Sequence, residues 1–216
     1  MSFNLFLEGT IDTIYMTVVS TLCAYIIGLP LGIFLTVTDK GGVTPIPWLN
    51  KILGFVVNLL RSIPFIILLV MLMPLTRAIV GTAIGTTAMI VPLVIGAAPF
   101  IARVVESSLK EVDSGVIEAA QSMGASPLKI IFKVLIPEAK PSLLIGAAIS
   151  ITTILGYTAL ADTVGGGGLG AIAVAYGSKR FREDIMLIAT VILVIIVQVL
   201  QEVGMRFAHK TDKRVK

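Results

Sequence analysis

The chain has 216 residues, 56% of them hydrophobic and only 14% charged, with a mean hydropathy of +0.99. Soluble domains average about 25% charged residues, so the totals exclude a soluble globular domain and indicate an all-α integral membrane protein, in which apolar runs of about 20 residues cross the bilayer. The net charge of +4 fits cationic cytoplasmic loops rather than nucleic-acid binding, and the single cysteine, Cys23, excludes an intrachain disulfide and reads as a small buried hydrophobe.

The opening stretch, MSFNLFLEGTIDTIYM, carries no basic residue before its first apolar run, which argues against a cleaved signal peptide. Five spans are predicted: Ile11 to Thr38, Arg61 to Thr76 (continuing toward Val80), Ile84 to Val105, Pro141 to Asp162 and Ile185 to Phe207. Asn58 and Arg61 interrupt an apolar stretch that starts at Ile52, so the second helix has room to begin earlier, partly in the interface. The spans are rich in small residues and contain Pro30, Pro64, Pro74, Pro92 and Pro99, which favours close helix approach and bent helices. Five short, kinked helices do not enclose a wide aqueous path alone, whereas a symmetric dimer builds one along its axis. No internal repeat is visible, and the chain reads as a single transmembrane domain, residues 1–216.

Lys and Arg choose the orientation. With the N-terminus outside and the C-terminus cytoplasmic, the cytoplasmic segments hold Lys40, Lys51, Arg61, Arg103, Lys110, Lys129, Lys133, Lys140, Arg206, Lys210, Lys213, Arg214 and Lys216. The outer side keeps Arg77, Lys179, Arg180 and Arg182. That orientation is expected, and it places the polar stretch between the third and fourth spans in the cytoplasm.

This stretch, about residues 113–137, includes EAAQSMGASPLKIIFKVLIP. Asp113 is a plausible N-cap for a helix through about Met123, with Val116, Ala119, Ala120 and Met123 on one apolar face. Gly124 stands where a left-handed residue ends a helix, and Ser126-Pro127 restarts one, serine as N-cap and proline at the first position. Leu128, Ile131, Phe132 and Leu135 make an apolar stripe, Lys129 and Lys133 share another face, and Pro137 and Pro141 are expected to stop the second helix. The pattern suits either a loop lying on anionic lipid headgroups or a docking element for a groove on a soluble partner.

Glu118-Ala119-Ala120, three residues, Gly124, nine residues and Val134-Leu135-Ile136-Pro137 resemble the EAA motif of ABC importer permeases, EAA-x3-G-x9-I-x-L-P, with Val134 and Ile136 as volume-conserving departures. LLRSIPFIILL (59–69), IVPLVIGAAPFIARVVESSL (90–109) and GYTALADTVGGGGLGAIAVAYG (156–177) extend the resemblance to the permeases of methionine-type importers. The resemblance implies a homodimer, two ATP-binding subunits, an extracytoplasmic methionine-binding protein and a bacterial cell-membrane location. It also implies that Glu118, Ala119, Ala120 and Gly124, with Ser126 and Pro137, form a coupling helix seated on the ATPase. Another small amino acid or a methionine analogue as cargo, and an ATP-independent channel or secondary transporter, remain open.

Gly165, Gly167 and Gly170 satisfy G-x-G-x-x-G, but no βαβ unit accompanies them, and a close-packed turn is expected instead. No P-loop pattern occurs, and the single histidine, His209, has no metal-ligand cluster beside it, so neither catalytic residues nor cofactors are expected. Asp162 is expected to be the only acid near a span's apolar interior, which weighs against proton coupling. The fourth span follows the polar segment directly, and its Thr152, Thr153, Gly156, Tyr157 and Leu160 mix small, polar and bulky groups. Tyr157 and Leu160 are therefore candidates for a gate that closes by excluding water.

Overall fold

The computed structural model describes residues 2–211, apart from the side chains of Ser2 and Asp162. The expectation for the Asp162 carboxylate, and those for Lys213, Arg214 and Lys216, lie outside the described residues. No strand occurs among the described residues. The helices are α1 (Ser2–Val37), α2 (Pro47–Ser62), α3 (Phe65–Met71), α4 (Met73–Val80), α5 (Thr86–Lys110), α6 (Ser114–Ser122), α7 (Pro127–Ile130), α8 (Ile136–Glu138), α9 (Lys140–Thr158), α10 (Gly168–Val174) and α11 (Glu183–Thr211). Helices α1, α5, α9 and α11 are each long and apolar enough to cross a membrane, and the broken pair α2–α3 makes a fifth candidate.

The second predicted span is the one that differs most. Residues 61–76 are not one helix: α2 ends at Ser62, because a residue before proline avoids helical geometry, and Pro64 takes ψ 131°. A second break falls at Leu72, and Gly81, at φ 85°, ends α4. The early start at Ile52 is correct in sense, since α2 begins at Pro47.

The chain packs as two compact units, each made of three separate stretches. Unit 1 comprises Met1–Ala24, Ile63–Ala97 and Ser150–Glu202; unit 2 comprises Tyr25–Ser62, Ala98–Ile149 and Val203–Lys216. Lipid is as apolar as leucine, so close fit and satisfied polar groups, rather than hydrophobic transfer, must hold each unit together.

In unit 1 the buried side chains include Met16, Leu69, Met89, Leu93, Ile154 and Leu169. Thr10, Thr13, Thr17 and Thr21 each donate to the carbonyl four residues back, at 2.6–2.8 Å, which satisfies the hydroxyls within the apolar helix. In unit 2, Leu35 of α1, Val57 of α2 and Ala102 of α5 form a small core with Leu31 and Leu53. A Cβ on Gly28 or Gly32 would strike Ile101 or Val105 and the α5 backbone, so both glycines set the α1–α5 approach.

Candidate functional site

The polar segment folds as a helix, a glycine turn and a second helical stretch. The Asp113 carboxylate accepts from the Gly115 N–H at 2.8 Å, as its N-cap position requires. Helix α6 ends at Ser122. Gly124 has φ 76°, its N–H donates to the Gln121 carbonyl at 2.9 Å, and the Ala125 N–H donates to the Ala120 carbonyl at 3.1 Å. Those two bonds are the Schellman closure, which needs a left-handed residue at the Gly124 position.

The expected apolar face of α6 divides. Ala120 is buried against the chain, while Val116, Ala119 and Met123 are exposed, Met123 at 81%. Glu118 is exposed as well. Ser126 occupies the N-cap position with extended backbone, and Pro127 is at the first position, but the serine hydroxyl makes no capping bond. The stripe along the second stretch divides too: Ile131 and Leu135 are buried, whereas Leu128 and Phe132 are 67% and 62% exposed. Ala120, Ile131 and Leu135 therefore anchor the segment, while Val116, Met123, Leu128 and Phe132 stay exposed to the surroundings.

Pro137 and Pro141 do not stop the second helix. Residues Ile131–Leu135 form a π-helical turn and α8 carries Pro137 in its first turn, so the missing N–H falls where the tighter α ladder has already been opened. Pro141 is the second residue of α9, a position whose N–H needs no intrahelical partner.

A second polar cluster lies at the end of α5, around and beyond the Val105 end expected for the third span. Glu106 is buried, pairing with Arg103 at 2.7 Å and with Lys110 at 2.9 Å; Lys110 also pairs with Asp39 at 2.7 Å. Arg103 further donates to the Gly54 carbonyl of α2 at 2.9 Å. Glu106 is thus an acid near a span's interior that the sequence expectation did not include. The third span runs five residues past Val105, to Lys110, and carries Glu106 with it. The spacing Arg103, Glu106, Lys110 (i, i+3, i+7) was the available signal, since such residues share one helical face.

The pathway candidates sit in unit 1. Tyr157 stacks on Phe65 with ring centroids 4.3 Å apart and planes 7° from parallel, so its ring is committed to packing. Leu160 lies in the 3-10 turn Ala159–Val164 and is 38% exposed. The glycine run is the close-packed turn expected of it. Gly165, Gly167 and Gly168 all have φ between 72° and 83°. The Leu169 N–H donates to Thr13 Oγ1 at 2.8 Å, the Gly85 N–H to the Gly165 carbonyl at 3.0 Å, and a Cβ on Gly170 would collide with the Ala159 backbone.

The helix–glycine–helix segment and the membrane-crossing helices can be set against known proteins. Residues 28–216 match the binding-protein-dependent transport system inner membrane component family. The probable D-methionine transport system permease protein MetI of Vibrio cholerae is 48% identical over 211 residues, 98% of this chain and 94% of that protein. The methionine import system permease protein MetP of Bacillus subtilis is 46% identical over 207 residues, 96% and 93% of the two chains. Among solved structures, an inward-facing conformation of the MetNI methionine ABC transporter superposes with a TM-score of 0.95 at 46% identity, covering 97% of each chain. An amino acid ABC transporter matches with a TM-score of 0.78 at 21% identity, a likeness of fold over 96% and 94% of the two chains. The chain belongs to the family of binding-protein-dependent transport system inner-membrane components, the membrane-spanning permeases of bacterial ABC importers.

Proposed function

We propose that the chain is the translocation subunit of an ATP-driven importer that carries methionine into the cytoplasm, without catalytic residues of its own. The observation that carries the mechanism is the exposed apolar side of the 113–137 segment, anchored by Ala120, Ile131 and Leu135 and turned by Gly124. A rigid element of that kind fits a groove on a soluble partner, the proposed ATP-binding subunit, and passes its motion to the spans at either end. Near-identity of length and 46–48% identity to methionine permeases support methionine as cargo. The family's binding-protein-dependent description supports a separate binding protein, and a homodimer with two ATPases belongs to the same reading.

The proposed orientation keeps the N-terminus outside. In its favour, the ten described basic residues assigned to the cytoplasm, Lys40, Lys51, Arg61, Arg103, Lys110, Lys129, Lys133, Lys140, Arg206 and Lys210, all fall in unit 2. Arg77, Lys179, Arg180 and Arg182 all fall in unit 1. Glu118, Ala119, Ala120 and Gly124 are assigned to coupling, and Ser126 and Pro137 to shaping the second stretch. Leu160 is the better gate candidate, because Tyr157 is held by Phe65.

Labelled L-methionine uptake into proteoliposomes holding this chain, its copurifying ATPase and the binding protein tests the reading. Uptake that needs ATP and is blocked by unlabelled methionine is the expected result. Uptake without ATP would replace it with an autonomous transporter, and binding-protein-stimulated ATP hydrolysis without methionine uptake would overturn the cargo.

A further inference from the structure

The charged cluster at the end of α5 is not needed to explain the fold. Buried ion pairs are poor stabilisers, because desolvating each charge costs about what the pair returns, and apolar side chains of similar volume do as well. What charges add is a directional tie. Here the tie is a chain of four links within unit 2: Asp39 to Lys110, Lys110 to Glu106, Glu106 to Arg103, and Arg103 to the Gly54 carbonyl. It joins the loop after α1, the last two turns of α5 and the middle of α2.

Its position is specific. Lys110 is the last residue of α5, and only Glu111 and Val112 separate it from the Asp113 cap of α6. Val112 is itself buried. Asp39 and Lys110 also line a cavity of about 350 Å³ together with Ile117 of α6 and Leu135, which leaves space beside the tie for the surface segment to shift. Within the cluster the buried Arg103 Nε has no hydrogen-bond partner. A buried donor left over in an otherwise paired cluster suits a group with a second arrangement available to it.

We propose that Glu106 is a positioning residue for coupling: it clamps the head of the 113–137 segment to α2 and the loop after α1, so that these parts move together when the segment moves. The inference rests on the proposed ATP-driven import. It acts through two cations rather than through cargo or nucleotide, and the negative charge at its centre is the essential feature. Glu106→Gln keeps the shape and removes that charge, leaving one neutral acceptor where Arg103 and Lys110 each had a carboxylate oxygen.

The experiment is methionine uptake per ATP hydrolysed in proteoliposomes matched for assembled complex, for the wild type, Glu106→Gln and Glu106→Asp. The expected result is a drop of about tenfold in that ratio for Glu106→Gln, inside the ~5–150-fold span of couplings between distant sites. Glu106→Asp, which keeps the charge, should recover part of it. A ratio at the wild-type value in Glu106→Gln would overturn the proposal, as would a loss that merely tracks the amount of complex recovered. Should Glu106→Gln fail to assemble, Asp39→Asn cuts the chain at its half-exposed outer end, and an unchanged ratio there overturns the proposal equally. A wild-type complex that shows no ATP-dependent uptake would instead overturn the functional reading beneath it.

Discussion

In unit 1 the tight places are made by removing atoms: three left-handed glycines in the 165–168 turn, Gly170 against the Ala159 backbone, and a threonine hydroxyl taking the Leu169 N–H. In unit 2 the tight places at α1 and α5 also use glycine, but the far contacts are made by adding charge, with Arg103, Glu106, Lys110 and Asp39 in one chain. The difference fits the roles proposed for the two parts, a pathway wall and a lever. Close backbone contact between small residues fixes a shape without any polar group to desolvate. An ion chain fixes a link between elements while leaving long side chains able to trade partners. The first suits a pathway wall, and the second suits a lever.

The largest effect that would break the contrast belongs to the lever. Gly124 sits at φ 76° with nothing within 4 Å of where a Cβ would lie, so Gly124→Leu meets no clash. Its penalty is conformational, roughly 1–2 kcal/mol for a left-handed non-glycine residue. It falls on the turn that orients the exposed apolar side. ATP-driven methionine uptake should fall about tenfold or more in proteoliposomes, a loss of the size seen when two sites are uncoupled, and Gly124→Asn, which tolerates that conformation, should lose less. Intact uptake and intact ATPase stimulation in Gly124→Leu would remove the turn from the mechanism.

The wall predicts a different kind of failure. Gly170→Val puts a branched side chain into the Ala159 backbone and should cost stability at the upper end of the ~1–3 kcal/mol typical of overpacking. Gly156→Ala, where a Cβ meets open space within α9, should leave the melting temperature unchanged or raise it. Thermal unfolding of the purified complex separates the two, and equal losses would mean that glycine content, rather than the close approach, matters. A smaller effect follows at the turn's other anchor. Thr13→Val keeps the shape and strands the buried Leu169 N–H, for a loss of about 1 kcal/mol. Faster hydrogen exchange at that amide is the direct readout.

How legible each region was follows from the same chemistry. The helix–glycine–helix pattern could be read because Asp113, Gly124 and Ser126-Pro127 are local signals that act on the backbone within a few residues of themselves. The spans were legible from length and apolarity, except where Pro64 and Leu72 divide the second, because proline's effect depends on whether a helix must continue there. Which of Ile131, Phe132 and Leu135 faces inward could not be read, since all three are apolar and what divides the stripe is distant packing rather than a local signal. The Glu106 chain was hidden for a simpler reason. Its members lie at 39, 54, 103, 106 and 110, and only the α5 trio has a spacing that a sequence displays.

The smallest expected effect tests the outer end of that chain. The Lys110 ammonium beside Asp39 donates to its carboxylate and, with the Lys40 N–H, holds its pKa below the ordinary 3.8. A carboxylate depressed by folding contributes stability that is fully present above its unfolded value and is lost as pH falls through its folded one. The Asp39 side chain is 38% exposed, so the contribution belongs with surface pairs, roughly 0.2–1 kcal/mol. Melting temperatures of the wild type and Asp39→Asn should therefore differ slightly at pH 7 and begin to converge only as pH falls below about 4. A gap that persisted in acid would mean that Asp39 acts through the shape of its loop and not through its charge, which would cut the ion chain back to the three residues of α5 and the Gly54 carbonyl.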